Sequence, residues 1–107
     1  MVIEEIDFVN CCPHEISITA EDGKTYKIPQ SDLLRVRTSF GFGKIGPFMD
    51  AWVQHQYIEE LPPQKENTIY IISRPTAAVL KEAQVERNDF RVLWKGKTGF
   101  NEGLVKF

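Results

Sequence analysis

Apolar and polar side chains alternate along two short segments near the N-terminus, residues 15–19 and 24–28. Alternation with a period of two is typical of a strand that has one buried and one wet face. Asp22 and Gly23 lie between the two segments, and an Asp-Gly pair readily adopts the positive φ angles of a tight hairpin turn. The pattern therefore predicts a β-hairpin.

Two further strands are predicted, one before this hairpin and one after it. Residues 6–9 are mostly apolar and lead into a loop in which Pro13 removes a backbone donor and favours extended backbone before it. Alternation resumes in residues 33–38, where Arg35 and Arg37 share one face.

Residues 39–47 have the most biased composition of the chain, with three glycines, one proline and two phenylalanines, Phe40 and Phe42. Glycine and proline interrupt regular structure more strongly than other residues, so this segment is predicted to be a mobile loop. A strand is predicted to follow over residues 51–58, with a helical turn at residues 49–53 as the alternative. Trp52, Tyr57 and, near the C-terminus, Trp94 are expected in the core.

Residues 68–72 form a near-continuous apolar run, the pattern of a central strand buried on both faces. Ser73 follows and can cap a helix whose first turn holds Pro75. Good helix formers then continue, so a short helix is predicted from Pro75 to about Gln84.

The C-terminal part predicts a last pair of strands, residues 90–94 and 103–107, joined by a turn at residues 96–99. We therefore expect a mainly β (β-rich α+β) fold: a curved antiparallel or mixed sheet, or a small barrel, of seven to eight short strands with one short helix. A chain of 107 residues has room for one hydrophobic core, so residues 1–107 are expected to form a single domain.

Composition and charge exclude several classes of function. Hydrophobic residues make up 42% of the chain, as in folded globular proteins. The net charge of -2 is spread along the chain without a basic block, so duplex nucleic acid is not expected as a partner. The apolar runs are too short to cross a membrane, and the acidic N-terminus does not resemble a signal peptide. We expect a cytoplasmic protein.

The two cysteines, Cys11 and Cys12, are adjacent in the sequence. A disulfide between neighbouring residues closes a strained ring, so reduced and buried thiols are expected. A metal site built from one thiol, His14 and His55 is the alternative, but it has neither the four ligands nor the paired spacing of structural zinc sites. No metal and no cofactor is expected.

A catalytic centre is not expected either, and the nearest approach to one is the pair Cys12 and His14. A nucleophile needs a base beside it and a third group to orient that base, and two residues around Pro13 need not face each other. We interpret Asn10 and His14 as residues that fix this loop by hydrogen bonds, with ligand contact by His14 as the alternative.

Positive side chains suggest a site for a small anionic ligand. Arg35 and Arg74 carry planar guanidinium groups suited to phosphate or carboxylate, although single arginines are most often solvated. Ser73 and Thr76 lie with Arg74 at the predicted start of the helix, where free backbone N–H groups attract anions.

The biased segment at residues 39–47 permits two interpretations. Its glycines and Lys44 do not have the spacing of a P-loop, but glycine-rich backbone can form an anion-binding concavity. Phe40 and Phe42 are instead the residue type that anchors protein interfaces. We therefore assign Lys44 to the candidate ligand site and the two phenylalanines to a candidate partner site.

Two motifs carry a resemblance: Asn10 followed by Pro13-His14, and Thr-Ile-Tyr-Ile-Ile-Ser at residues 68–73. The chain resembles a family of small bacteriophage and prophage proteins, uncharacterised in function, which often read N-L-T-P-H near the start and T-I-Y-I-V-S in the middle. Cys11 and Cys12 depart from the usual Leu-Thr, and the segment from Phe40 is longer and more aromatic than the family pattern.

The resemblance implies a non-catalytic accessory protein of a phage, present in the cytoplasm of a bacterial host. Such a protein is expected to counter a host defence system by sequestering a nucleotide signal or another small anionic ligand. The alternatives are an inhibitor that docks directly on a host protein and a structural or assembly accessory of the virion. A homo-oligomer is expected, because a chain this small has little room for a closed pocket of its own.

Overall fold

A computed structural model describes residues 1–31, 34–95 and 101–106, with backbone alone for residues 101 and 102. The described part contains nine strands and one helix. In chain order they are β1 (Val2–Ile3), β2 (Ile6–Asn10), β3 (Ile16–Thr19), β4 (Thr25–Ile28), β5 (Val36–Ile45), β6 (Phe48–Ile58), β7 (Thr68–Ile71), α1 (Arg74–Glu82), β8 (Phe90–Lys95) and β9 (Asn101–Val105). The mainly β class with one short helix is confirmed. The predicted turn at residues 96–99 lies outside the described residues.

Five of the strands form a mixed sheet in the order β1-β2-β7-β8-β9. β2, β7 and β8 run parallel, whereas β1 and β9 are antiparallel to their neighbours. The predicted central strand is confirmed: β7 lies in the middle of the sheet, with Tyr70 and Ile72 on one side and Ile71 on the other all buried. The described strands do not close into a barrel, because the other four form two separate hairpins.

The sheet has a hydrophobic core on each face. On one face α1 packs Ala77 and Leu80 against Tyr70 and Phe90. On the opposite face the hairpin β3–β4 packs Ile16 and Ile28 against Ile71. Because successive side chains of a strand point to opposite faces, Cys11 enters the helix-side core and Cys12 the hairpin-side core. The expectation of two reduced, buried thiols is confirmed.

The helix begins and ends close to its predicted bounds. The Ser73 side chain accepts a hydrogen bond from the backbone N–H of Thr76, and Pro75 occupies the first turn. An N-cap of this kind satisfies a donor that has no partner inside the helix. Beyond the helix, Gln84 has a φ of 57°, so the chain reverses toward β8 in the left-handed conformation.

The N-terminal hairpin is confirmed, with β3 and β4 paired from Ile16 opposite Ile28 to Thr19 opposite Thr25. Its connection is longer than the tight turn predicted, since residues 20–24 lie between the paired strands. Gly23 has a φ of 87°, and the Asp22 side chain accepts a hydrogen bond from the Lys24 N–H at 2.9 Å.

The predicted mobile loop at residues 39–47 is wrong: residues 39–45 belong to β5, which pairs with β6 as a long antiparallel hairpin. We call this hairpin, Val36–Ile58, the arm. Its glycines provide space rather than flexibility, because the indole of Trp52 lies directly over Gly41, and a Cβ atom there would come within 2.5 Å of the indole nitrogen. The remaining turn is the pair Gly46 and Pro47, where Gly46 has a φ of 57°.

The arm projects from the rest of the molecule. The radius of gyration is 17.1 Å and the principal extents are 59 × 32 × 21 Å, whereas a globular chain of this length has a radius of gyration of about 13 Å. Among the described residues, only the base of the arm packs against a core, through Ile58 and the preceding residue Leu34. The body of the protein therefore folds around the five-stranded sheet, and the arm extends beyond it.

Candidate binding surface

The pairing of β5 with β6 sorts the side chains of the arm onto two faces. Opposed residues of an antiparallel pair share a face. The Phe42 face, as we name it, has apolar side chains along most of its length: Phe40, Phe42, Met49, Ala51 and Val53. The Trp52 face carries Ile45, Phe48, Trp52, His55 and Tyr57, together with Arg37 and Asp50.

The Phe42 face is apolar and open to solvent. Phe42 is 64% exposed and Met49 76% exposed, and the Phe40 and Phe42 rings lie 6.4 Å apart between centroids. Lys44 is the one charged residue of this face between Val36 and Ile58. A contiguous exposed apolar patch with this composition marks an interaction surface more often than an ordinary solvated surface.

The Trp52 face is more polar and partly closed by its own side chains. The Trp52 indole covers the two glycines of β5, and the His55 and Tyr57 rings stack at 5.4 Å between centroids. At the base, Arg37 Nε donates to Glu59 Oε2 at 3.1 Å. The Trp52 and Arg37 contacts join the two sides of the arm, whereas the His55–Tyr57 stack lies within β6.

Sequence reasoning placed the aromatic side chains of this segment in the core, and the structure contradicts that expectation. Trp52 and Tyr57 are exposed on the arm, and Trp94 is exposed on β8. The arm has no second layer over either face among the described residues, so its rings remain in solvent. Phe48, Met49 and Val53, which sequence reasoning did not single out, belong to the same exposed surface.

The segment that follows the arm is fastened to the body by buried polar groups. Arg87 forms a two-pronged ion pair with the carboxylate of the buried Asp89, with Nε to Oδ1 at 2.9 Å. Its third nitrogen donates to the Pro62 carbonyl at 2.6 Å, and the Tyr70 hydroxyl donates to the Pro63 carbonyl at 2.7 Å. The hydrogen bond to Asp89 raises the pKa of Arg87 above its usual value, so the guanidinium stays charged. These bonds hold the end of the arm's return strand.

The predicted anion-binding residues do not meet at one place. Arg35 lines a cleft of about 470 Å³ at the base of the arm, but Arg37 in the same cleft already pairs with Glu59, and Glu60 also lines it. Lys44 follows Arg35 by nine positions, which is about 30 Å along an extended strand. Their role in ligand binding stays a prediction.

Ser73, Arg74 and Thr76 do lie together at the start of α1, where they perform structural tasks. The Ser73 and Thr76 hydroxyls lie 2.9 Å apart, and Thr76 is buried. Arg74 is exposed and donates from Nη2 to the Leu93 carbonyl at 3.2 Å. The arrangement caps the helix and ties its first turn to β8.

The loop after β2 is organised by Asn10, whose side chain is fully buried. Asn10 Nδ2 donates to the His14 carbonyl at 2.8 Å and to the Ile28 carbonyl at 3.1 Å, and Oδ1 accepts from the Cys12 N–H at 2.9 Å. One amide thus closes the loop and joins the end of β2 to the end of β4.

The His14 ring does not take part in the hydrogen bonds by which the Asn10 side chain fixes this loop. The ring is on the surface, with Nδ1 2.9 Å from the Glu15 carbonyl, and only the His14 backbone carbonyl is held by Asn10. Cys12 lies in the core, where its Sγ donates to the Ile71 carbonyl at 3.8 Å. Burial raises the pKa of the Cys12 thiol, which opposes the thiolate form that a nucleophile needs.

Two further observations concern metals and membranes. Within residues 1–31, 34–95 and 101–106, no three His, Cys, Asp or Glu side chains lie close enough together to hold a metal ion. The described helix is too short and too polar to span a membrane.

We compared the chain with known protein families, curated proteins and solved structures. No protein-family model, curated protein or solved structure matches this chain.

We expect Asn10→Ala to lower the free energy of unfolding by about 3 kcal/mol, because it leaves buried backbone groups without partners. His14→Ala is expected to change it by less than about 0.5 kcal/mol, as for other exposed side chains. Urea unfolding followed by circular dichroism measures both. Asn88→Ala is the matched control, since Asn88 is an exposed asparagine with one side-chain bond. Equal effects at positions 10 and 14 would contradict this description of the loop.

Proposed function

We propose that this chain is a non-catalytic binding protein that acts by docking its arm on a partner protein. The observation that carries the proposal is the exposure of eight large apolar side chains along one projecting hairpin. They are Phe40, Phe42, Ile45, Phe48, Met49, Trp52, Val53 and Tyr57.

Exposed apolar side chains forgo the favourable free energy of burial, and docking on a partner regains it. Burying apolar surface contributes about 25 cal/mol per Å², and a core already exists elsewhere in the molecule to hold the fold together. Aromatic side chains and methionine are enriched at the centres of protein interfaces, where they act as anchors. The arm presents these residues on a paired β scaffold, so docking does not require the segment to fold first.

The chemistry of the Phe42 face specifies the kind of partner surface that fits it. Phe40, Phe42, Met49 and Val53 require an apolar groove about as wide as two strands. Lys44, near the tip, is complemented by an acidic side chain at the far end of that groove. We infer a partner protein with an apolar groove and an acidic rim.

The resemblance to phage and prophage proteins supports a bacterial host protein as this partner. Docking on a component of a host defence system then inhibits it without chemistry, in a stoichiometric complex. A virion protein is the alternative partner of the same surface, and both belong to the class of protein docking.

Sequestration of a nucleotide signal receives less support from the geometry. The cleft that contains Arg35 also contains Glu59 and Glu60, so a phosphate there meets carboxylates as well as guanidinium groups. Arg35, Arg74 and Lys44 lie on different elements and do not converge.

A thermal-shift screen of cyclic and linear nucleotides separates the two mechanisms. A ligand at one hundred times its dissociation constant stabilises its protein by about 2.7 kcal/mol, which is about 10 °C or more for a domain of this size. We expect no nucleotide to produce such a shift. A shift of that size that disappears in Arg35→Ala or Arg74→Ala would establish sequestration and contradict the docking proposal.

The docking proposal is tested by placing a photo-crosslinking amino acid, p-benzoylphenylalanine, at position 42 in protein produced in bacterial cells. We expect irradiation to give one discrete adduct with another protein, identified by mass spectrometry, because the ring at this position contacts the partner directly. The adduct is expected to disappear in Phe40→Ser and Met49→Ser variants, which each remove an anchor from the same face.

The same amino acid at position 2 provides the matched control, since Val2 is an equally exposed apolar residue of a strand outside the arm. It is expected to give no such adduct. An identical set of adducts from both positions, or an adduct with a second copy of this chain alone, would contradict the proposal.

A further inference from the structure

We propose that two copies of this chain pair through the outer edge of β6 and form a four-stranded sheet in the order β5-β6-β6-β5. This inference rests on the proposed function because it concerns the same arm, and it assigns a partner to a different part of it. The Phe42 face docks the other protein, whereas the edge of β6 pairs with a second copy.

The first step concerns the outer edge of β6, which has no strand partner in the described part of the chain. Within the described ranges, β6 pairs with β5 alone, and only its end at Ile58 packs on the body. An exposed strand edge presents unpaired N–H and C=O groups that a second strand can complete, and folded proteins normally protect such edges with lysine, proline or a bulge. β6 contains neither lysine nor proline.

The second step is that two features that block strand addition flank one segment of the β6 edge, and the segment between them contains neither. Pro47, which has no backbone N–H, precedes the strand. The pairing with β5 shifts so that Gln54 is an extra, unpaired residue, a β-bulge. Residues 48–53 between these two features form an uninterrupted edge of six residues with Asp50 as the only charge.

The third step is that charge favours β6 over β5 as the paired edge. β5 carries Lys44 near its tip and Arg37, paired with Glu59, at its base, and positive side chains are a common protection of exposed strand edges. In the dimer the β5 strands form the two outer edges, where positive side chains discourage further addition of strands. The assembly therefore ends at two copies.

Symmetry then determines the register. A two-fold antiparallel pair has its axis at one residue, which lies opposite its own copy. An axis at Asp50 sets two carboxylates against each other, and an axis at Trp52 extends the pairing past the bulge at Gln54. An axis at Ala51 avoids both and places Met49 opposite Val53 of the second copy.

This register has a consequence for the docking surface. Ala51, Met49 and Val53 lie on the Phe42 face, and a perpendicular two-fold axis keeps the two Phe42 faces on the same side of the sheet. The dimer thus joins two apolar strips into one continuous surface and doubles the number of anchors offered to the partner.

The test uses the purified protein, because the partner is not needed. Opposed residues of an antiparallel pair have Cα atoms about 4.5 to 5.5 Å apart, within the range that a disulfide spans. Ala51→Cys is therefore expected to form disulfide-linked dimers under mild oxidation. The native thiols do not compete, since Cys11 and Cys12 are 2% and 4% exposed.

Met49→Cys and Lys44→Cys are the matched controls, because both positions are exposed on the same arm. In the proposed register the two copies of residue 49 lie about 13 Å apart, beyond the reach of a disulfide. We expect position 51 to cross-link at least about ten times faster than either control, a difference of about 1.4 kcal/mol. Equal rates at the three positions would show random collision and overturn the proposal.

Sedimentation equilibrium gives a second readout that needs no cysteine. Ala51→Glu places two carboxylates opposite each other, so it is expected to weaken self-association at least about tenfold, whereas Ala51→Ser leaves it unchanged. Circular dichroism verifies that each variant is folded. A monomeric parent protein at all accessible concentrations would refute the dimer and leave the docking of a different protein, tested by photo-crosslinking, unaffected.

Discussion

The buried side-chain amide of Asn10 is the contact on which the arrangement of the body depends. Its three hydrogen bonds join the end of β2, the loop that follows it and the end of β4. Without this junction the hairpin β3–β4 would be held to the sheet by apolar contacts, which have no direction, and by the backbone bond from the Ser31 N–H to the Asn10 carbonyl just beyond β4. Cys11 and Cys12, next to this junction, continue the alternation that sends Phe8 and Val9 of β2 to opposite cores.

The protein divides its apolar residues between two tasks. One set of apolar side chains is buried in the two cores that α1 and the hairpin β3–β4 form with the five-stranded sheet. β7 lies between these cores. The arm keeps a second set in solvent, supported by cross-strand pairing and by Trp52 over its glycines. A two-stranded hairpin by itself is only marginally stable in water. Its base is therefore fastened by Ile58, which packs against the helix-side core, and the segment after it is held by the Arg87 hydrogen bond to the Pro62 carbonyl.

Local patterns predicted the elements whose conformation is decided locally. The Asp-Gly hairpin, the apolar strand at β7 and the helix capped by Ser73 each follow from short-range chemistry, and the structure confirms them. The prediction of a mobile loop at residues 39–47 is wrong because glycine has two uses, positive φ angles and close approach. Gly41 has the second use here, and the indole that requires it belongs to another strand. No local pattern contains that information.

The residues of the candidate site also differ in how far the sequence could predict them. Phe40 and Phe42 were predicted as partner-binding residues from their type, and the structure places them side by side on an exposed face. Met49 and Val53 could be assigned to this face only from the pairing of β5 with β6. The arginines and Lys44 were grouped by charge, but distance between them depends on the fold, and the long strand β5 separates them. The loop-fixing role predicted for Asn10 and His14 belongs to the Asn10 side chain, to which His14 contributes its backbone carbonyl.

The central claim is that the arm is a folded β-hairpin in the free protein and already presents its apolar faces before any partner binds. Amide hydrogen exchange of the dilute protein, resolved by NMR, tests it most directly. We expect the amides bonded between β5 and β6 to exchange far more slowly than those of Glu21 and Asp22 in the exposed turn of the first hairpin, as cross-strand hydrogen bonds require. Exchange of the arm amides as fast as that turn would mean an unstructured segment, and it would contradict the account.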